Sequence, residues 1–140
     1  MRASLDVLVG DWTIESRKYP EGRGRMSVRP SDDGNLLRIE SVIDDPRFPR
    51  STMVIGADDP SDEYSALYYD SRDVHRVYRM TLEGHEWRMW REAPEFNQRF
   101  LGKISKDGRV IAAQWEISKD GDNWEVDFDL TYTKVGGGKS

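Results

Sequence analysis

Cysteine is missing from this 140-residue chain, and histidine occurs only twice, as His75 and His85. Without a thiol there is no disulfide, no thiolate metal site and no cysteine nucleophile. Two histidines with no third ligand evident beside them argue against a zinc site, so no metal and no cofactor is expected. The absence of cysteine fits a reducing compartment, and a cytoplasmic location is the expectation. No apolar run approaches the roughly 18 residues of a membrane-spanning helix. Met1-Arg2-Ala3-Ser4-Leu5-Asp6 offers neither a long apolar stretch after a basic start nor a small-residue cleavage site, so neither a membrane partner nor secretion is expected. A basic stripe is also missing: 21 Lys and Arg stand against 26 Asp and Glu, net −5, which excludes phosphate-driven nucleic-acid binding as the working hypothesis.

Apolar residues are scarce too, at 36% against 34% charged, with a mean hydropathy of −0.79. That balance alone drifts toward disorder. What the chain does have is rings: 5 Trp, 6 Tyr and 4 Phe. A folded chain of this size hides about two-thirds of its unfolded surface, and large rings supply that burial with few residues. The length suits a single domain, expected over residues 1–135, with Gly136-Gly137-Gly138-Lys139-Ser140 as a flexible tail.

Turn chemistry divides the chain. Asp33-Gly34, Glu83-Gly84, Asp107-Gly108 and Asp120-Gly121 are places where a hairpin takes positive φ cheaply. Between them lie segments of strand length. Residues 123–135 alternate, with Trp124, Val126, Phe128, Leu130 and Tyr132 on one face and Glu125, Asp127, Asp129, Thr131 and Thr133 on the other. Residues 96–104 and 110–118 alternate in the same way, and the three segments make a meander. Further strands are expected near 10–18, 23–30, 35–43, 51–57, 64–70, 74–82 and 86–92. Only residues 4–9 read as helical, for a turn or two, with Ser4 as a cap. Pro46, Pro49 and Pro60, the last in an acidic loop, mark loops inside one domain. About ten antiparallel strands are too many for a flat sheet with exposed edges. The fold class is therefore all-β, an antiparallel up-and-down barrel with a short N-terminal helical turn, and a β-sandwich is the alternative.

Leu8-Val9-Gly10-Asp11-Trp12 opens the first strand with a Gly-x-Trp that resembles the calycin signature. Tyr68-Tyr69-Asp70-Ser71, Tyr78-Arg79-Met80, Trp87, Arg99-Phe100-Leu101-Gly102, Gln114-Trp115-Glu116-Ile117-Ser118 and Asp129-Leu130-Thr131-Tyr132-Thr133-Lys134-Val135 extend the likeness. Together they resemble a bacterial lipocalin-like family of unknown function, the DUF1579 type of the calycin superfamily. The resemblance implies a barrel around a cavity, with the Trp plugging one end and the Gly letting the chain pass beneath it. It carries over no catalytic residue. The haem-binding nitrobindin type is less similar, because its axial histidine lies on a late strand and no histidine follows His85.

Parity then selects the inner face. Trp12, Tyr68, Tyr78, Trp87, Phe100, Trp115, Trp124, Phe128 and Tyr132 can all be placed inward, with Met53, Met80 and Met89 among them. Ten strands enclose more space than the roughly eight that side chains just fill. The expected partner is thus a small apolar or aromatic ligand between Tyr68, Tyr78, Met80, Met89, Phe100 and Trp115, oriented by Arg38, Glu40, Arg91 or Gln98. Arg38 and Glu40 have an alternative on the solvated face, since Leu37, Ile39, Ser41 and Ile43 form a more apolar side of that strand. Arg91 has an alternative at the rim. His75 and Arg79 fall outside by parity, and His85 sits in a turn. A lipocalin-like cyclase or isomerase acting in the same cavity, through Tyr78 or His75, is the second functional reading, an interaction module acting through its outer surface is a third, and a homodimer is an allowed assembly.

Overall fold

The segments between the turns do become strands. In the computed structural model, which describes residues 3–59 and 61–136, a 3-10 helix (Ala3–Leu8) precedes ten strands: β1 (Gly10–Glu15), β2 (Gly24–Pro30), β3 (Leu37–Ile43), β4 (Ser51–Ala57), β5 (Tyr64–Asp70), β6 (His75–Glu83), β7 (Glu86–Arg91), β8 (Asn97–Ile104), β9 (Val110–Ser118) and β10 (Glu125–Lys134). Each pairs antiparallel with its neighbour in sequence, and β1 also pairs with β10, so the sheet closes into an up-and-down barrel with no free edge. The sandwich alternative is excluded. The Ser4 side chain, Pro60 and residues 137–140, for which the sequence suggested a cap, a loop and a tail, lie outside the described residues.

One barrel end is sealed. The 3-10 helix lays Leu5 and Leu8 against Trp12, all three essentially without solvent exposure, and the Trp12 indole N–H donates to the Leu8 carbonyl at 2.9 Å. Gly10 has φ 138°, in the left-handed range that favours glycine. A Cβ there would also lie 3.3 Å from Lys134 Cε, whose ammonium sits 5.0 Å from the centre of the Trp12 ring. The Gly-x-Trp thus forms the plug. At the other end the β1–β2, β3–β4, β5–β6 and β7–β8 loops form an open rim.

Alternation holds along most strands, but β10 breaks it. Its register against β9 shifts between Val126 and Phe128, a bulge that inserts one residue and reverses parity beyond it. Val126 is exposed as a result. Trp124, expected inside, instead stacks under the exposed Arg99 guanidinium at 4.1 Å, while Asp127 reaches the cavity wall.

Near the rim β2 and β3 run unusually close at Gly24. A Cβ there would lie 2.4 Å from the Val42 carbonyl oxygen and 2.9 Å from Ile43 Cα, both backbone atoms. Gly24→Ala is therefore expected to destabilise the fold by about 1–3 kcal/mol, the usual range for overpacking. A urea-denaturation midpoint equal to that of the wild type would contradict this close approach.

Candidate functional site

The side chains facing inward do not fill the barrel. Above the plug lies a cavity of about 390 Å³, within the roughly 300–1,000 Å³ span of small-molecule sites. Its wall is a continuous chain of rings. Tyr68 contacts Tyr78 (6.4 Å between ring centres), Tyr78 contacts Trp115 (5.3 Å), Trp115 contacts Phe100 (5.0 Å), Phe100 contacts Trp87 (4.8 Å) and Trp87 contacts Tyr132 (6.2 Å). Most of these pairs are tilted or edge-on, as ring quadrupoles prefer. Met26, Met53 and Met89 line the gaps between them, where an unbranched thioether adapts to irregular space.

The rim is aromatic and charged. Tyr19 of the β1–β2 loop meets Phe48 of the β3–β4 loop edge-on at 4.9 Å and Phe128 of β10 at 6.4 Å. Arg47 lies over the Tyr19 ring and is paired with Asp45, whose carboxyl its guanidinium pulls down to about 2. On the far side, the Asp70 carboxylate accepts from the Tyr68 hydroxyl at 2.6 Å and from Arg72 Nη2 at 2.6 Å and the Arg72 backbone N–H at 2.9 Å. The Asp70 side chain has no solvent exposure. Deeper in, the Tyr78 hydroxyl donates to Gln98 Oε1 at 2.9 Å, a buried bond. Burial pushes the Tyr68, Tyr78 and Tyr132 phenols above their ordinary value, so all three stay protonated at neutral pH. Among the described residues, two buried side-chain donors have no acceptor: the Trp87 indole N–H and Arg91 Nε.

Of the residues expected to bind ligand, Tyr68, Tyr78, Met89, Gln98, Phe100 and Trp115 do line the cavity. Met80 is fully buried but pairs with Tyr64 and Met89 nearer the plug and does not reach the open space. Arg91 sits at the last position of β7, opposite Gln98, toward the rim; it is not among the residues that line the cavity, although Gln98 beside it is. Arg38 and Glu40 correct the sequence reading. Both are exposed on the outer face and paired with each other at 2.8 Å, because the register turns the apolar side of β3, Leu37, Ile39 and Ser41 with Ile43, toward the interior. His75 is exposed on the outer face, and His85 sits in the β6–β7 turn with φ 65°.

The sequence reading passed over Arg47, Arg72 and Arg76, which line the mouth together with Tyr19, Phe48 and Phe96. Arg76 carried a usable signal, since it stands two residues before Tyr78 and shares its inward parity. The others come from loops, where no periodicity points to a face. No family model matches the chain, and no curated protein matches its sequence.

Proposed function

We propose that the protein is a small-molecule-binding barrel that holds an apolar or aromatic ligand against Tyr68, Tyr78, Met89, Phe100 and Trp115. Gln98 and the Tyr78 hydroxyl serve as polar anchors. The observation that carries this reading is a ring-lined cavity of about 390 Å³, plugged at one end and open at the other. Burial of apolar ligand surface contributes roughly 25 cal/mol per Å², and a preformed wall of interlocked rings keeps the ordering penalty low. The composition of the wall favours binding over catalysis. Neither histidine lines it, and its phenols are held protonated, so it offers donors to a ligand rather than an imidazole base near neutral pH.

Tryptophan fluorescence tests the reading, because Trp87 and Trp115 line the cavity whereas Trp12, Trp90 and Trp124 do not. Titration with fatty acids, flavins, haem and aromatic acids is expected to give a saturable change with at least one class. Trp115→Phe should diminish that signal, and Trp90→Phe should leave it intact. Insensitivity to every class would overturn the proposal.

A further inference from the structure

Arg47, Arg72 and Arg76 line the open mouth, Arg91 stands just behind it opposite Gln98, and these arginines fall into two kinds. Arg47 and Arg72 are neutralised by their own carboxylates, Asp45 and Asp70. Arg76 and Arg91 make no ion pair among the described residues, and Arg91 Nε is closed off from solvent with no acceptor. An N–H of a cation left buried without a partner is unfavourable, and a bound group that supplies the acceptor relieves it. The two side chains flank one spot. Arg76 lies on the Tyr78 face of β6, its guanidinium 5.3 Å from the centre of the Phe96 ring and 5.9 Å from that of Tyr68. Arg91 stands opposite Gln98, whose amide oxygen takes the Tyr78 hydroxyl. Both guanidinium charges act on that hydroxyl, opposing the effect of its burial.

We infer that Arg76 and Arg91 form a seat for the carboxylate of an amphipathic acid, whose apolar or aromatic body fills the ring-lined cavity below. This inference rests on the reading of the cavity as a ligand site and adds the ligand's charge and orientation. Guanidinium forks match a planar carboxylate bidentately, and stacking on Tyr68 and Phe96 leaves the donor edge of Arg76 free. Asp45 and Asp70 lie at the same rim, paired with Arg47 and Arg72, and Asp127 lines the wall from β10, four strands from Arg76 and three from Arg91 around the barrel. Those carboxylates favour a single-charged head over a multiply charged one.

The test pairs each acid with a neutral counterpart: 2-naphthoate with 2-naphthamide, and decanoate with 1-decanol, by calorimetry at pH 7. The wild type should bind each acid about tenfold or more tighter than its counterpart. That preference should shrink in Arg76→Gln and in Arg91→Gln and vanish in the double variant, with the affinity for the neutral probes unchanged. Arg38→Gln, on the outer face, should behave as wild type. Arg76→Lys and Arg91→Lys keep the charge but lose the fork, and stand in if a glutamine variant fails to fold; an intermediate preference is expected of them. Equal affinity for acid and neutral probe in the wild type, or a preference that survives the double variant, overturns the carboxylate seat and leaves the cavity reading intact. If neither member of either pair binds, the seat is overturned, and the fluorescence titration with flavins and haem decides the cavity reading.

Discussion

Trp12→Ala is expected to remove about 3–5 kcal/mol of folding stability, the range for truncating a fully buried large ring. Against a total of roughly 5–15 kcal/mol for a domain of this kind, that leaves a protein close to unfolding. Three contributions combine at this residue. The indole is inaccessible to solvent, so its removal opens a cavity that the barrel wall cannot collapse to fill. Its N–H satisfies the Leu8 carbonyl at the end of the 3-10 helix, and that carbonyl loses its partner. Leu5 and Leu8, which cover Trp12, lose the surface they rest on. Trp12→Phe keeps most of the ring and loses only the donor, so its loss should be nearer the roughly 1 kcal/mol of a single hydrogen bond plus some packing. Urea denaturation of the three proteins measures both steps. A Trp12→Ala loss below about 1 kcal/mol would mean that the plug is not a structural element, and the cavity would then have no fixed floor.

The barrel was legible in the sequence because closure imposes one inner face on every strand. Phe100, Gly102 and Ile104 on β8, and Ile111 and Ala113 on β9, face inward as their alternation predicts. The errors have local causes. A bulge of one residue in β10 cannot be read from a clean alternation, yet it sends Trp124 to the outside and Asp127 to the wall. On β3 both faces carry apolar residues, and Leu36 and Val42 are exposed on the same side as Arg38 and Glu40, so composition alone did not decide the register. The rim was the least legible part. Tyr19, Arg47 and Phe48 are brought together by loops anchored through backbone bonds, such as those from the Arg17 and Lys18 N–H groups to Asp129. Sequence periodicity carries no information about such contacts. The floor and wall of the site were therefore readable, whereas the charged mouth that orients a ligand was not.

The mouth also supplies the second large effect, at Arg72. Arg72→Ala is expected to destabilise the protein by about 3 kcal/mol at pH 7, the lower end of the range for breaking a buried ion pair, because Arg72 itself is half exposed while the Asp70 side chain is wholly buried. The carboxylate would keep only the Tyr68 hydroxyl and a backbone N–H. The effect should depend on pH in a definite direction. In the wild type, hydrogen bonds from the Arg72 guanidinium hold Asp70 well below the ordinary carboxylate range, against the opposing effect of burial. As pH falls, the unfolded chain takes up its proton first, at about 3.9. The stability that Asp70 contributes is thus complete above about pH 5 and is lost as pH falls through that unfolded value toward the lower folded one. Without the guanidinium, the largest contact holding Asp70 low is gone and its folded-state value rises from that of the wild type, so the variant loses less stability on acidification. The gap between wild type and Arg72→Ala should accordingly narrow from pH 7 to pH 3.5. Asp45, Asp107 and Asp120, also held low by contacts within their own loops, contribute the same slope to both proteins and cancel in the difference. Urea melts at both pH values supply the measurement, and a gap that stays constant or widens would show that Asp70 is not held as an ion by Arg72. Because Asp70 also fixes the hydroxyl of Tyr68, a ring of the cavity wall, the same substitution should loosen the wall beside Arg76 and weaken binding of acid and neutral probes alike, whereas Arg76→Gln should affect only the acids.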